Sequence, residues 1–250
     1  MNILITNDDG IYSEGIFALY QALKTLGDVT VVAPDTERSA VGHAITLSDP
    51  LRVKPVKRAG KFFGYATTGT PADCVKLATR AILKKRPDIV VSGINLGPNT
   101  GYSVLYSGTV SGATEGAILG ISSFAISLST FEKPDFKPAA DFAKALTRIV
   151  IKHGLPEGTL LNVNVPAAAK SKIKGVKITK QSKAVYLESY CKRQDPRKHT
   201  YYWLTGEEIK ARRQEDTDIE ALRKNYISIT PIHCDMTDYA FTKTLKNWKF

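Results

Sequence analysis

The sequence predicts an α/β protein: a Rossmann-like, doubly wound and mostly parallel sheet, with a C-terminal β-rich extension or arm. Three observations predict it. Short, nearly continuous apolar runs at 3–6, 29–33, 88–92, 122–128 and 160–165 have the length and β-branched content of strands buried on both faces. Segments with apolar residues at helical spacing separate them. Beyond Pro166 the pattern changes to half-polar alternation and a long polar, aromatic stretch without helical period. The expected division is a catalytic core over 1–170 and an extension over 171–250, whose last strand and helix return to the core.

In order, residues 3–6 read as a buried strand ending in Asn7-Asp8-Asp9-Gly10. Ser13 caps a helix from Glu14, with Ile16, Leu19, Tyr20, Leu23 and Leu26 on one face and Gly27 as its stop. Residues 29–33 form the second strand. A right-handed crossover joins it to the first in parallel. Residues 36–47 are small and polar and read as a loop. Residues 51–56 and 61–67 fit a hairpin turning near Ala59-Gly60. Thr70-Pro71-Ala72-Asp73 is a helix start, with Thr as cap and Pro in the first turn; that helix is expected to reach residue 83. The strand at 88–92 precedes a Gly- and Asn-rich loop, 93–101. Tyr106-Ser107-Gly108-Thr109 opens a helix of small residues, followed by the strand at 122–128. Phe142, Leu146, Ile149 and Val150 mark a helix ended by Gly154. In the extension, residues 176–180 alternate as a half-exposed strand, 186–203 form an extended arm or long hairpin, 215–224 a helix and 226–232 a strand.

Composition narrows the chemistry. The 250 residues, 43% hydrophobic and 24% charged, are ordinary for a globular protein. No apolar run approaches the ~20 residues of a membrane span. Met1 leads straight into a strand rather than into a signal-peptide pattern, so a cytoplasmic protein without membrane partner is expected. Cys74, Cys191 and Cys234 form no CxxC pair, and their odd number argues against a disulfide framework. The four histidines, His43, His153, His199 and His233, are scattered. A bound metal should therefore have oxygen ligands, which favours magnesium, calcium or manganese over zinc. His43, alone in its loop, reads as surface or structural rather than as a general base. The chain lacks the phosphate-binding GxxxxGK[ST] loop, the GxGxxG dinucleotide signature and the GxSxG nucleophile elbow. The net charge of +11 is concentrated in residues 170–213. It admits a rival reading, nucleotide or nucleic-acid binding without turnover, but a solvated basic surface is the plainer account and nucleic acid is not the expected partner.

The candidate site assembles from strand ends. Ligands of parallel sheets bind beyond the carboxyl ends of the strands. Asp8 and Asp9 follow the first strand, Ser39 the second, and Asn95 the strand ending at Ser92. Two carboxylates, a hydroxyl and an amide oxygen make an oxygen site suited to magnesium, with water completing the shell. Such a metal neutralises phosphoryl charge and lowers the pKa of water bound to it. Backbone N–H groups around Gly108-Thr109, at a helix start, suit an incoming phosphate, and the hydroxyls of Ser107 and Thr109 add donors.

These residues stand in a series of motifs: Asn7-Asp8-Asp9-Gly10; Val32-Ala33-Pro34-Asp35 with Arg38-Ser39; Gly69-Thr70-Pro71-Ala72-Asp73-Cys74; Val91-Ser92-Gly93-Ile94-Asn95-Leu96-Gly97-Pro98-Asn99; and Tyr106-Ser107-Gly108-Thr109. In this order they resemble the SurE family of survival-protein-E nucleotidases. The resemblance covers most of the first 130 residues and resumes more weakly at 161–166, 195–197, 202–203 and 227–231. It implies a divalent-metal-dependent phosphomonoesterase acting on nucleoside 5′-monophosphates, also on 3′-monophosphates and short polyphosphate. It implies metal ligands at Asp8, Asp9, Ser39 and Asn95, one Mg2+ or Mn2+ per subunit, and a homodimer or homotetramer exchanging its C-terminal extension. Asp8 and Asp9 are then the catalytic residues, and Asn99, Ser107, Gly108 and Thr109 hold the phosphate. The attacking group is either a metal-activated water or Asp8 itself. Ser39-Ala40-Val41-Gly42-His43-Ala44 departs from the family's commoner Arg-Ser-Gly-Ala-Ser form.

Overall fold

The computed structural model describes residues 1–132, 134–184, 186–208 and 215–249. Its centre is a nine-stranded sheet formed by β1 (Asn2–Thr6), β2 (Asp28–Pro34), β3 (Val53–Arg58), β4 (Lys61–Thr67), β5 (Ile89–Leu96), β6 (Ser122–Ser129), β7 (Thr159–Pro166), β8 (Val176–Ile178) and β11 (Ile227–His233), in the order β3-β4-β2-β1-β5-β6-β7-β11-β8. The strands from β4 through β7 run parallel, and β3 and β11 are antiparallel to their neighbours β4 and β7. A second sheet is the antiparallel pair β9 (Tyr186–Gln194) and β10 (Thr200–Glu208).

Alternation along each strand feeds two cores. On β1, Ile3 and Ile5 join Val31, Ile89, Val91, Phe124 and Ile126 beneath α1 (Glu14–Leu23) and α4 (Lys137–His153). Leu4, Val32 and Val90 point the other way, onto Cys74, Val75 and Ala78 of α2 (Pro71–Leu77) and the π-helical turn that continues it. Beside them Ala125 and Leu160 pack on Val110, Ala113 and Ala117 of α3 (Gly108–Ile118). Both faces of the sheet are thus covered, which the unbroken apolar runs require. Complete burial of a side chain such as Phe124 contributes about 1.5–3 kcal/mol.

The chain passes from β1 to β2 on one side and later, through α2, to β5 on the other. The winding direction therefore reverses at β1, and the loops after β1 and β5 diverge to leave a crevice. The Asp8-Asp9 turn and Asn95 lie at these two strand ends.

Several boundaries differ from the sequence expectation. β5 runs on through Gly93 to Leu96, with a slip in its pairing to β6 between Gly93 and Asn95, where a loop was expected. α2 is regular only to Leu77 and then widens. On β8 both Val176 and Ile178 are exposed, the reverse of a strand turning its apolar face inward. α5 (Asp218–Arg223) lies within the span read for it and β11 overlaps its span, running one residue further to His233, but α6 (Tyr239–Leu245) had no counterpart. β8 and β11, both beyond residue 170, complete the main sheet, and the aromatic stretch folds as the β9–β10 hairpin. Residues 209–214, which include the end of the basic segment 170–213, lie outside the described residues.

Candidate active site

Asp8 and Asp9 leave the buried end of β1 in a turn that Gly10 closes at φ +89°, a conformation that favours glycine. Asn7 fixes this turn from inside, its Nδ2 donating to the carbonyl of Gly10 at 3.0 Å and to the Ser13 hydroxyl at 2.9 Å. The N–H of Ile11 donates to the carbonyl of Pro34, at the end of β2, at 2.9 Å. The pair is therefore held from both adjoining strands.

Asp8 is 4% exposed and points at the start of α3. The Thr109 N–H donates to its Oδ2 at 3.0 Å, and the Thr109 hydroxyl donates to its Oδ1. Thr109 therefore spends both donors on orienting Asp8. Asp9 is half-buried and accepts from the N–H of Leu96 at 3.3 Å, which ties it to the end of β5. Burial pushes both carboxyls up. For Asp8 this outweighs the lowering by the Thr109 bonds. For Asp9, burial and the adjacent Asp8 charge raise the pKa to about 7. Glu37 adds repulsion to both. Among the described residues no Lys, Arg or His forms an ion pair with either carboxylate. Buried negative charge without a cation is costly, and a divalent ion would supply the missing charge.

The donor set fits such an ion. Among the described residues no three His, Cys, Asp or Glu side chains converge as a metal-binding group, so a cation here takes the Asp pair together with neutral oxygens. Asn95, at the end of β5, donates its Nδ2 to the carbonyl of Gly97 at 2.8 Å. That bond uses the amide's donor end and reserves Oδ1 as the acceptor that a cation needs. Ser39 lies at the rim: its hydroxyl is exposed and donates to Glu37 Oε1 at 2.7 Å. Its neighbour Arg38 donates its N–H to the carbonyl of Asp8 at 2.7 Å, which brings this loop against the pair. This is a hard, oxygen-only set, suited to magnesium or manganese.

The phosphate candidates lie at the start of α3 and just beyond the end of β5. Ser107 caps α3, accepting from the N–H of Val110 at 3.1 Å. Gly108 is the first residue of that helix. A Cβ there would sit 2.8 Å from the Asp8 Cβ and 3.1 Å from the carbonyl oxygen of Arg38, so only glycine lets the helix approach the carboxylate. Asn99 is buried within a polar cluster. Its N–H donates to Asn164 Oδ1 at 2.8 Å and its Nδ2 to the Ser127 hydroxyl at 2.9 Å, while its carbonyl accepts from Asn162 at 2.8 Å and Asn164 at 2.9 Å. Asn162 and Asn164 were not among the expected site residues. The signal was present, since Asn162-Val163-Asn164 places two amides on one face of a buried strand, where they must find partners.

Residues 3–188 match the family described as Survival protein SurE. A "5'-nucleotidase SurE" of Syntrophobacter fumaroxidans is 55% identical over 248 residues, covering 99% of both chains. A protein of the same name from Moorella thermoacetica is 51% identical over 246 residues, covering 98% of this chain and 95% of its own. Among solved structures, one titled "Crystal Structure of Sure Protein from Aquifex aeolicus" superposes with a TM-score of 0.87 at 45% identity, covering 98% of each chain. With motifs, fold and whole-length relatives in agreement, the chain belongs to the SurE family.

Proposed function

We propose that this protein is a divalent-metal-dependent 5′-nucleotidase, hydrolysing nucleoside 5′-monophosphates to nucleoside and phosphate. The observation that carries the reading is the buried Asp8-Asp9 pair, unmatched by any cation of the chain among the described residues and set at the switch point of the sheet. The names of its relatives support the substrate class.

In this reading Asp8, Asp9, Asn95 and Ser39 hold one Mg2+ or Mn2+. When bound, the ion neutralises phosphoryl charge and activates a water. The chain's own residues do the rest. Thr109 fixes both oxygens of Asp8, and the Leu96 N–H fixes Asp9. The start of α3, with the Gly108 N–H and the helix dipole, receives the phosphate, and the Ser107 hydroxyl adds a polar contact. Asn99 is held rigid by Asn162, Asn164 and Ser127, so its amide is set in place before substrate arrives. Water adds to phosphorus, the ester P–O bond breaks, and the departing oxygen leaves as the nucleoside hydroxyl. The same reading takes residues 171–250 as the means of association into a dimer or tetramer. Support comes from the β9–β10 hairpin, where Tyr190, Tyr202 and Trp203 are exposed.

A substrate panel tests the function. Phosphate release is measured from 5′-AMP, 5′-GMP, 3′-AMP, glycerol phosphate and short polyphosphate, each with magnesium, manganese or EDTA. The expected outcome is metal-dependent release, greatest from the 5′-nucleotides. Equal release from glycerol phosphate would remove the nucleotide specificity, and release that persists in EDTA would remove the metal.

A further inference from the structure

The loop that carries Ser39 is tied down by a charged cluster outside the metal site. Glu115 lies in the middle of α3 and is 2% exposed, on a helix otherwise built from small and apolar residues with a few hydroxyls. Two basic groups reach it from different elements. Lys76 of α2 donates to its Oε1 at 2.5 Å, and His43 of the loop donates through Nε2 to its Oε2 at 2.9 Å. A carboxylate only accepts, so Nε2 is the protonated nitrogen in this contact. Burial pushes the Glu115 carboxyl up, but the bonds and charges of His43 and Lys76 outweigh it and hold the group below its usual range. Glu115 is therefore an ionised group that cannot turn to solvent, and whatever pairs with it is held in place.

Further bonds fix the same part of the loop. The Gly42 N–H donates to the carbonyl of Tyr106 at 3.0 Å, beside the Ser107 cap. The Thr70 hydroxyl donates to the carbonyl of Ala44 at 2.7 Å, and the Thr46 hydroxyl to Asp73 Oδ2 at 2.7 Å. At its near end the loop is anchored by the Arg38 N–H on Asp8. Ser39 thus lies one residue from the near anchor and four from His43. Four residues span at most about 14 Å, so the position of His43 on α3 limits where the Ser39 hydroxyl can go.

We propose that His43, Glu115 and Lys76 form an ionic latch that holds residues 39–46 against α2 and α3, making His43 a positioning residue for Ser39 at the metal site. This deepens the nucleotidase reading and rests on it for the role of Ser39. One helix, α3, carries both the latch and the phosphate-binding start, so the loop and the phosphate site share one rigid reference. His43→Gln keeps a donor for Glu115, and His43→Ala removes it. Because His43 is partly exposed, both variants are expected to fold.

The experiment compares wild type, H43A, H43Q, S39A and S39A/H43A in two measurements that need no turnover: amide hydrogen exchange over residues 39–46, and Mn2+ binding by electron paramagnetic resonance. In H43A, exchange in the loop should rise roughly tenfold or more while the helices α2 and α3 are unchanged, reflecting loss of a charged hydrogen bond. Mn2+ affinity should fall about threefold to tenfold, and H43Q should restore most of both. On the S39A background, H43A should cost no further Mn2+ affinity, because its effect runs through Ser39. Unchanged loop exchange in H43A would overturn the latch. Independent, multiplying losses of Mn2+ affinity in S39A/H43A would overturn its action through Ser39. An inactive wild type with these exchange and binding results intact would count against the nucleotidase reading alone.

Discussion

Gly108 has no room for a methyl group: an added Cβ would press on Asp8 at 2.8 Å and on the Arg38 carbonyl oxygen at 3.1 Å. The G108A variant should therefore displace the Asp8 carboxylate while leaving the cores intact. We expect kcat/KM for AMP to fall by roughly a hundredfold and stability to fall by about 1–3 kcal/mol, read by phosphate release and thermal melting. Wild-type activity in G108A would show that Asp8 and the start of α3 need not touch. At this scale the sequence placed Asp8 and Asp9 just past one strand, Asn95 near the end of another and Ser107 at a helix start, where the structure has them, because their residue types fall at strand and helix ends. It did not reveal that both donors of Thr109 go to Asp8, nor that Asn162 and Asn164 hold Asn99. Those contacts join residues far apart in the chain, and no local pattern encodes them. His43 read as a plain loop histidine for the same reason, since its partner Glu115 is 72 positions away.

Among the elements, α2 was legible in detail. The Thr70 hydroxyl accepts from the Asp73 N–H while Asp73 accepts from the Thr70 N–H, the reciprocal cap that Thr-Pro-Ala-Asp suggests. Replacing Thr70 by Ala removes the cap and the bond to Ala44. The expected cost is about 1 kcal/mol, or roughly 2–4 °C in melting temperature for a chain of this size. An unchanged melting temperature would contradict the role of this cap. The parallel strands were equally clear, since burial on both faces leaves unbroken apolar runs. β5 was read too short because Gly93 and Asn95 are poor strand formers, and pairing with β6 overrides that preference. β8 was read only as half-exposed, and its apolar residues Val176 and Ile178 both face out, because period two tells which residues share a side but not which side meets the core. α6 was missed: its 7 residues are too few to show a helical period.

For the whole molecule, the Asp pair couples metal, proton and stability. The Asp9 pKa is raised to about 7 in the folded protein, whereas an unfolded aspartate titrates near 3.8. Its contribution to metal-free stability is thus fully present below pH 3.8 and is lost as pH rises toward about 7. A divalent ion must displace that proton below pH 7 and meets an ionised carboxylate above it. The rise in melting temperature caused by saturating magnesium or manganese should therefore grow between about pH 5 and 7.5, as scanning calorimetry can measure. A metal-induced shift that shrank with pH would contradict this coupling. The central claim is that Asp8 and Asp9 hold the ion that makes phosphate transfer possible. Its most direct test is phosphate release from 5′-AMP by wild type and Asp9→Asn at fixed manganese, with and without EDTA. The account predicts release by the wild type, its loss in EDTA with recovery on adding back metal, and a rate lower by roughly a thousandfold in Asp9→Asn. Undiminished release by Asp9→Asn, or by the wild type in EDTA, would contradict it.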